Sequence, residues 1–290
     1  MGENIIVSII TYNPEIERLR CNIESINNQI KTIVLIDNGS SNIEQIKELV
    51  KFFDLTLIQN LENEGIAKAL NQALEYSHVN GFQWLLTLDQ DSISDDKFMY
   101  NYYFFLEKNK RISNLALLTP KIIDRNLVCD NKSFEKEYNE CFTAITSGSL
   151  INVEIAKRVG GFKNELFIDG VDFEFCLNLK SNGYRIFRIN KAKLYHELGH
   201  IKVNKFLGAK FITTNHSALR RYYYFRNKIY ITKKYYSKYK KWTIKYLFSG
   251  IKTLLFIIFF ENNKINKLKF SLKGIYDGIF NNYGKYGGKI

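Results

Sequence analysis

Two carboxylates one residue apart, Asp89 and Asp91, follow a run of mostly apolar residues in the segment LLTLDQDS (85–92). Such a run is typical of a buried β-strand, and negative charges at its end need hydrogen bonds, solvent or a cation. Three interpretations fit the pattern: a solvated turn, a cap for a following helix, or a cation site. If it is a cation site, the oxygen ligands suit Mg²⁺ or Mn²⁺.

Further groups that could do chemistry lie in the second half of the chain. The segment FIDGVDFEF contains Asp169, Asp172 and Glu174, any of which could act as a general base. A helix start offers a plainer role, because acids there are stabilised by the helix dipole. His196 ends the strand-like AKLYH and could ligate a metal, with His200 as the alternative, although a single histidine is more often structural.

The elements that must position these residues alternate between strand and helix. Short apolar runs predict strands at 5–11, 33–38, 55–60, 84–89 and 115–119, and later an alternating strand at 184–189. Amphipathic segments predict helices at 14–28, 42–52, 65–78, 152–160 and 172–182. This order is typical of right-handed βαβ crossovers, so we expect a mostly parallel sheet flanked by helices.

Ligands bind at the carboxyl ends of the strands in such a sheet. We therefore expect residues 11–13, 37–38, Asn60 and residues 89–91 to lie along one edge. Asp37 and Gly65 each keep a plainer interpretation. Asp37, before Asn38 and Gly39, could form an Asx turn, and Gly65 could simply begin a helix rather than approach a phosphate.

Composition narrows the class of protein. Apolar residues make up 46% of the 290, which excludes global disorder, and the four cysteines show no zinc-finger or disulfide spacing. The N-terminus lacks the pattern of a signal peptide, which predicts a cytoplasmic location. The net charge of +13 is uneven, since residues 201–290 carry 20 Lys and Arg against two acidic residues.

Basic and aromatic residues interleave from 216 to 241. This pattern fits nucleic acid, an anionic membrane surface, or a packed helical pair with a solvated basic face. The apolar run 246–260 favours the membrane, since nucleic-acid binding does not need it. It is shorter than the ~20 residues that span a bilayer, so we expect attachment at the interface rather than insertion.

Taken in order, the motifs resemble those of the inverting glycosyltransferases of family 2, which have the GT-A fold. The resemblance covers residues 5–200 and is carried by VSIITYN, LIDNGSS, NEGIAKALNQA, LLTLDQDS, FIDGVDFEFCLNLKSNGYRI and YHELGH. WLLTLDQDS and RRYYYFRNKIYITKKYY resemble the bacterial rhamnosyltransferase branch in particular. The resemblance implies a Rossmann-like α/β domain that binds a nucleotide sugar.

The same resemblance implies roles for particular residues. Nucleotide-sugar contacts would come from Thr11, Tyr12, Asn13, Asp37, Asn63, Gly65, Asp89 and Gln90, and the metal ligands would be Asp91, Asp89 and His196. The base would be Asp172, with Val171 in the place of a usual first acid. A carboxylate at Asp37 can accept the N3 proton of uracil or thymine, which implies a UDP or dTDP sugar. Leu70 departs from the family, because many relatives have an arginine there that contacts the diphosphate or base.

Together these observations predict a catalytic domain at 1–212 and a basic, aromatic helical extension at 213–290 that associates with a membrane. The predicted activity is transfer of L-rhamnose from dTDP-L-rhamnose to a lipid-linked O-antigen, capsule or cell-wall glycan at the inner face of the bacterial plasma membrane. A transferase for UDP-linked hexose, galactofuranose or N-acetylhexosamine is the alternative within the class. A non-catalytic membrane or polyanion-binding protein is the alternative outside it. We expect no nucleic-acid partner, and homo-oligomerisation stays open.

Overall fold

The structure, a computed structural model, describes residues 4–124, 136–196, 202–206, 209–213 and 215–288. By compactness the chain divides into an N-terminal unit (Met1–Phe162 and Phe175–Glu197) and a C-terminal unit (Lys163–Glu174 and Leu198–Ile290). The domain boundary predicted after residue 212 stays a prediction. Cys129 and His200 lie outside the described residues.

The N-terminal unit is an α/β structure. Its strands are β1 (Ile5–Thr11), β2 (Ile33–Asp37), β3 (Thr56–Gln59), β4 (Trp84–Asp89), β5 (Ile93–Ser94), β6 (Leu115–Asp124), β7 (Tyr138–Glu140), β8 (Ser149–Asn152) and β9 (Arg185–His196). Its helices are α1 (Ile16–Asn27), α2 (Ile43–Phe53), α3 (Ile66–Val79), α4 (Phe98–Lys108), α5 (Val153–Arg158) and α6 (Val171–Ser181), whose first four residues belong to the C-terminal unit.

These strands form one sheet in the order β3-β2-β1-β4-β8-β6-β9-β5, with β7 beside β9. The pairs β1–β2, β1–β4, β2–β3 and β6–β9 are parallel. Strand β8 runs antiparallel between β4 and β6, and β5 and β7 run antiparallel to β9. Strands β4 and β6 point the same way, because β8 runs antiparallel to both. Strand β9 is parallel to β6 and therefore also points the same way as β4. The predicted mostly parallel α/β fold is confirmed, with antiparallel strands added.

Local sequence explains the centre of this sheet. Every residue of β1 and β2 is buried, as expected for strands covered on both faces. Helix α1 buries Leu19, Ile23 and Ile26 at helical spacing. Strand β3 lies at the sheet edge and exposes the residues at both of its ends. The short strands β5 and β7 were not predicted, because two or three residues carry no periodicity.

The C-terminal unit is mainly helical. It contains a 3₁₀ turn (Asn164–Leu166), the hairpin of β10 (Lys202–Phe206) and β11 (Ala209–Thr213), and the helices α7 (Ala218–Tyr235), α8 (Lys240–Phe260) and α9 (Lys264–Ile279). Within the described part of the chain, α8 is the one helix long and apolar enough to cross a membrane by length and composition. The apolar run 246–260 forms the last 15 of the 21 residues of α8, and its attachment at a membrane interface stays a prediction.

Helix α7 forms the interior of the C-terminal unit. It carries the basic and aromatic sequence that allowed three interpretations, yet Arg221, Arg226 and Lys228 are buried together with three of its five tyrosines. Helix α9 approaches it closely through glycines four residues apart, because a β-carbon at Gly274 would overlap the carbonyl oxygen of Tyr222. The packed-helix interpretation therefore describes α7.

Candidate functional site

The carboxyl ends of three adjacent parallel strands bring the predicted donor-binding residues together. In the sheet register, Thr11 at the end of β1 lies beside Asp37 at the end of β2. On the other side of β1, Ile10 lies beside Asp89 at the end of β4. The edge predicted from the strand ends is therefore present.

Asp89, Asp91 and His196 form a cluster at this edge. His196 ends β9, which points in the same direction as β4, and β5 pairs Ile93 with Tyr195 so that the turn after β4 lies against the end of β9. The Nδ1 atom of His196 lies 3.4 Å from Oδ1 of Asp91, and its Nε2 atom lies 3.8 Å from Oδ2 of Asp89. One ligand atom from each residue falls within 4.8 Å of the other two.

Two buried serines hold the cluster. Ser92 Oγ lies 2.9 Å from Nδ1 of His196 and 2.7 Å from Oγ of Ser147, and Ser147 Oγ accepts a hydrogen bond from the backbone N–H of Asp89 at 3.1 Å. These contacts fix the histidine ring relative to the turn. The sequence singled out residues 146–150 only as a small-residue turn, and no spacing rule links Ser92 with Ser147.

The surroundings of Asp91 favour its ionised form. Burial raises the pKa of Asp91, but the hydrogen bond and charge of His196, a backbone hydrogen bond and the charge of Arg18 together lower it further, so the pKa lies below its ordinary value. The carboxylate is therefore ionised at neutral pH. Two carboxylates and one imidazole form a donor set that fits Mg²⁺ or Mn²⁺. The Asp89 and Asp91 side chains are 39% and 30% exposed, which leaves room for ligands from a substrate.

Asp37 is fully buried and makes four hydrogen bonds. Its Oδ1 accepts from the hydroxyls of Thr11 (3.1 Å) and Ser40 (2.5 Å), and its Oδ2 accepts from the backbone N–H groups of Gly39 (3.2 Å) and Ser40 (3.0 Å). The Asx turn that the sequence allowed is therefore formed. A pyrimidine could reach this carboxylate only by replacing one donor, and the Ser40 hydroxyl is the one that can rotate away.

The loop after β1 is tied to its neighbours on both sides. The backbone N–H of Tyr12 donates to Oε1 of Gln90 at 2.8 Å, which joins this loop to the turn between the two aspartates. Asn13 has a left-handed backbone (φ 47°), and its side-chain oxygen accepts from the N–H and hydroxyl of Ser41. The end of β1 at Thr11, the loop residues Tyr12 and Asn13, and Gln90 in the turn after β4 thus lie side by side.

Asn63 and Gly65 lie just before α3, where Asn63 contacts the loop after β2. Asn63 Oδ1 accepts from the N–H of Gly65 at 2.9 Å and from the amide of Asn38 at 3.2 Å. Gly65 has φ 85° and precedes α3, so its backbone conformation favours glycine. Leu70, where many relatives have arginine, is 1% exposed and belongs to the core, so it contributes no polar contact.

The candidate bases lie in the C-terminal unit. Asp169 pairs with Arg220 of α7, with nitrogen-to-oxygen distances of 3.2–3.3 Å. Glu174 is fully buried and accepts hydrogen bonds from Lys234 at 2.6 Å and from the Tyr235 hydroxyl at 2.9 Å. These contacts give both residues structural roles.

Asp172 is the second residue of α6 and is partly exposed. Its Oδ1 accepts from the adjacent N–H of Phe173 at 2.9 Å, a local contact typical of the first turn of a helix. The assignment of Asp172 as base stays a prediction. His200, the alternative metal ligand, lies outside the described residues.

The chain is similar in sequence to known proteins. The chain matches the family "Glycosyl transferase family 2" over residues 6–149. It is 30% identical over 295 residues to the dTDP-rhamnosyl transferase RfbF of Shigella flexneri, with 96% of each chain covered.

Solved structures of other proteins share the fold of this chain. Residues 1–349 of TarS from S. aureus superimpose with a TM-score of 0.64 at 17% identity, over 95% of this chain and 81% of that one. GalNAc-T7, solved with UDP, GalNAc and Mn²⁺, gives a TM-score of 0.61 at 16% identity over 82% of this chain. The chain spans about half the length of GalNAc-T7, at 49%. The chain belongs to glycosyltransferase family 2, in the branch that contains bacterial rhamnosyltransferases.

Proposed function

We propose that this glycosyltransferase moves L-rhamnose from dTDP-L-rhamnose, with inversion, to a hydroxyl group of a lipid-linked cell-surface glycan. The observation that carries the proposal is the Asp89, Asp91 and His196 cluster at the carboxyl edge of a family 2 sheet. The choice of rhamnose is supported by the relative RfbF, a dTDP-rhamnosyl transferase similar along 96% of the chain.

The cluster would hold a divalent cation. Asp91 is the first candidate for direct contact, because it is ionised and lies 3.4 Å from His196, with Asp89 and His196 as the other ligands. When bound, Mg²⁺ or Mn²⁺ supplies positive charge that offsets the charge of the departing diphosphate. Ser92 keeps the imidazole nitrogen oriented, as second-shell hydrogen bonds do in metal sites.

Transfer also needs a base, for which we propose Asp172. Its carboxylate takes the proton of the acceptor hydroxyl while that oxygen forms a bond to the anomeric carbon. The bond from the anomeric carbon to the diphosphate oxygen breaks, and the diphosphate leaves on the opposite face with the bonding electrons. A carboxylate that is partly exposed at the start of a helix can receive a proton without a large change in solvation.

Recognition of the base of the nucleotide would use Asp37. Thymine, like uracil, has an N3–H that a carboxylate can accept, and cytosine has none. Binding would exchange the Ser40 hydroxyl for this donor and leave the three other hydrogen bonds of Asp37 in place. Thr11, Tyr12, Asn13, Asn63, Gly65, Asp89 and Gln90 are proposed to complete the nucleotide-sugar site.

We further propose a peripheral location at the inner face of the bacterial plasma membrane, where an O-antigen, capsule or cell-wall intermediate on a lipid carrier would be the acceptor. The strongly basic residues 201–290 and the apolar helix α8 support this location. Anionic lipid headgroups attract such a segment.

Donor competition tests the proposal. Purified full-length protein is incubated with Mn²⁺ and equal amounts of dTDP-rhamnose, UDP-glucose, UDP-galactose and UDP-N-acetylglucosamine, and the released dTDP and UDP are measured by chromatography. Water replaces the unidentified acceptor hydroxyl in this assay. Release of dTDP above all supports the proposal, and release of UDP alone contradicts the choice of donor.

The same assay covers two other candidates. TarS from S. aureus, which shares the fold, has been solved with UDP and with UDP-GlcNAc, and this favours a UDP-sugar transferase as the second candidate. A non-catalytic membrane or polyanion-binding protein would release neither nucleotide, so this outcome would contradict transferase activity itself.

A further inference from the structure

Helix α8 exposes an apolar stripe. Its exposed large apolar residues follow each other at steps of three, one, three, four, three and one, which places them on one helix face: Ile244, Leu247, Phe248, Ile251, Leu255, Ile258 and Phe259. Phe248 and Phe259 are 63% and 62% exposed. The buried residues Thr243, Gly250 and Ile257 occupy another face at steps of seven. The apolar stripe is therefore turned to solvent.

Helix α9 has the same inverted arrangement. Its exposed apolar face consists of Ile265, Leu272, Tyr276 and Ile279, continued by Phe280. Its buried face contains Lys267, Ser271, Gly274, Asp277 and Gly278, which are small or charged. A water-exposed helix normally buries its apolar face, so two neighbouring helices with the opposite arrangement indicate an interaction surface.

Charge at the margins of these faces is positive. Lys241, Lys245 and Lys252 are exposed along one border of the α8 stripe, at steps of four and seven. The two acidic residues of 201–290 are both turned inward, where Glu261 contacts Arg221 and Lys267 and Asp277 accepts from Tyr222. The exposed surface of this region is thus both apolar and basic.

We propose that the outward faces of α8 and α9 dock on an anionic lipid bilayer and lie within its interface. Apolar side chains would enter the acyl boundary while the bordering lysines reach the phosphate groups. Lys252 lies near the middle of α8, where a spanning helix would place a charge at the bilayer centre. A second copy of this chain fits less well, because it would bring two basic surfaces together.

This inference deepens the membrane location in the proposed function, but it is tested without donor or acceptor. Full-length protein is mixed with vesicles of phosphatidylcholine, with or without phosphatidylglycerol, and bound protein is separated by flotation. The Phe248→Ser/Phe259→Ser double variant should bind anionic vesicles at least about tenfold more weakly than wild type, as loss of two buried phenyl groups predicts.

Phe52→Ser provides the matched control, because Phe52 is 71% exposed on α2 of the N-terminal unit. It should bind like wild type, and Lys241→Gln/Lys245→Gln should lose the preference for anionic vesicles. Equal binding by the double variant and wild type would overturn the proposal. The proposal would also be overturned if wild type failed to bind vesicles and formed a dimer in light scattering that the double variant abolished. The apolar face would then join two copies of the chain. Neither outcome depends on donor turnover, so this test can fail while the proposed transferase activity holds.

A second inference comes from the contacts between α7 and residues 163–174. The side-chain amide of Asn227 donates to the carbonyl oxygens of Leu166, Ile168 and Asp169 at 2.7–2.8 Å. Arg226 donates to the carbonyls of Glu165 and Leu166, both at 2.9 Å. Asn227 is fully buried, and its oxygen accepts from Nε of Arg226 at 3.0 Å.

These bonds hold a strained backbone. Phe167 and Asp169 have φ of 63° and 64°, a left-handed conformation that non-glycine residues adopt at an energetic cost. The ring of Phe167 stacks on Tyr223 of α7 at 4.9 Å, and Phe173 contacts Trp242 and Tyr246 of α8 edge-on. Contacts from α7 and α8 therefore lie on both sides of Asp172 in the sequence.

From this arrangement we infer that Asn227 is a positioning residue for Asp172. This inference rests on the proposed role of Asp172 as base. Without the amide, the strained turn would relax and the carboxylate would lose its fixed position, which slows proton transfer without changing donor binding.

The test is Asn227→Ala in the full chain, with dTDP release from dTDP-rhamnose as the activity. We expect kcat to fall at least about tenfold, with the calorimetric Kd for dTDP-rhamnose unchanged and Asn227→Gln partly restoring kcat. A wild-type kcat in Asn227→Ala, while Asp172→Asn is inactive, overturns the positioning role alone. A wild-type kcat in Asp172→Asn instead overturns the proposed base. An equal loss of kcat and donor affinity in Asn227→Ala shows a merely structural role and also overturns the inference.

Discussion

Helices α7 and α8 follow each other in the chain and are both rich in basic and aromatic residues, yet they use them in opposite ways. Helix α7 buries Arg221, Arg226 and Lys228 with three of its five tyrosines, whereas α8 turns Phe248 and Phe259 to solvent. The difference teaches that partners, rather than polarity alone, decide what is buried. A charge can lie inside when hydrogen bonds satisfy it, and an apolar face left outside indicates a surface that something else covers.

The partners of the α7 cations are specific. Arg226 donates to three backbone carbonyls and lies over the rings of Tyr222 and Tyr223. Lys228 donates to the carbonyl oxygen of Tyr246 and the hydroxyl of Ser249, and its ammonium lies 3.3 Å from the centre of the Tyr246 ring. These contacts make the contrast with α8 testable by single substitutions.

The largest effect is expected from Arg226→Met. It would remove three charge-assisted hydrogen bonds to backbone carbonyls of the C-terminal unit, so we expect a loss of about 3 to 5 kcal/mol in the free energy of unfolding. Urea titration followed by circular dichroism measures it. Arg220→Met is the control, because Arg220 is 44% exposed and its ion pair should contribute less than about 1 kcal/mol. Equal losses in the two variants would remove the distinction between buried and exposed cations.

A smaller effect should follow from adding one methyl group between α7 and α9. Gly274→Ala would force a β-carbon onto the carbonyl of Tyr222, and overpacking of this kind costs about 1 to 3 kcal/mol. Leu272→Ala removes three carbons from the outward face of the same helix, where the side chain is 63% exposed, and should cost less. The comparison fails if Leu272→Ala is the more destabilising of the two in thermal melts.

Lys228 predicts a pH dependence. Burial lowers its pKa to about 7, with partial opposition from Asp169, whereas the unfolded chain keeps the ordinary value of 10.5. Between these values the unfolded state binds one more proton, so this group makes stability rise with pH; below pH ~7 its full destabilising effect is present.

The measurement is the free energy of unfolding of wild type and Lys228→Met across that range. Wild type should gain on the variant by up to about 1.4 kcal/mol per pH unit. Lys245→Met, which removes an exposed lysine of α8, controls for the loss of one charge. Parallel curves for wild type and Lys228→Met would show that burial does not lower the pKa of this lysine.

The smallest effect on stability is expected at the surface of α8. Phe248→Ser should change the free energy of unfolding by less than about 0.5 kcal/mol, because the ring is already in water. Urea titration in the absence of lipid measures it. A loss comparable with that of Gly274→Ala would mean that the stripe packs inside the protein and is not available to a membrane.

The central fold was predictable because its signals are local. Strands β1, β2 and β4 and helices α1, α2 and α3 were predicted within a few residues, since periodicity and strand-end polar residues mark each of them. The burial of α7 was not predictable in this way. Its interior charges are satisfied by the carbonyls of Glu165, Leu166 and Tyr246 and by Glu261, and sequence spacing does not reveal such distant partners.

The candidate site shows the same difference between local signals and contacts of residues distant in sequence. The nearness of Asp89 and Asp91 is set by one turn, and His196 could be added because the motifs resemble a known family. Ser92 and Ser147 were missed as supports of the cluster, because their hydrogen bond joins residues 55 positions apart. The four hydrogen bonds that saturate Asp37 also required coordinates, since two of them come from Thr11 and the Ser40 hydroxyl.

The central claim is that the Asp89, Asp91 and His196 cluster binds the donor through a divalent cation. Calorimetric titration of dTDP-rhamnose into wild type with Mn²⁺, wild type with EDTA, and Asp91→Asn with Mn²⁺ tests it most directly. We predict binding in the first case and at least about tenfold weaker binding in the other two, a difference of about 1.4 kcal/mol or more. Equal affinity in all three titrations would contradict the claim and return Asp89 and Asp91 to the role of a turn.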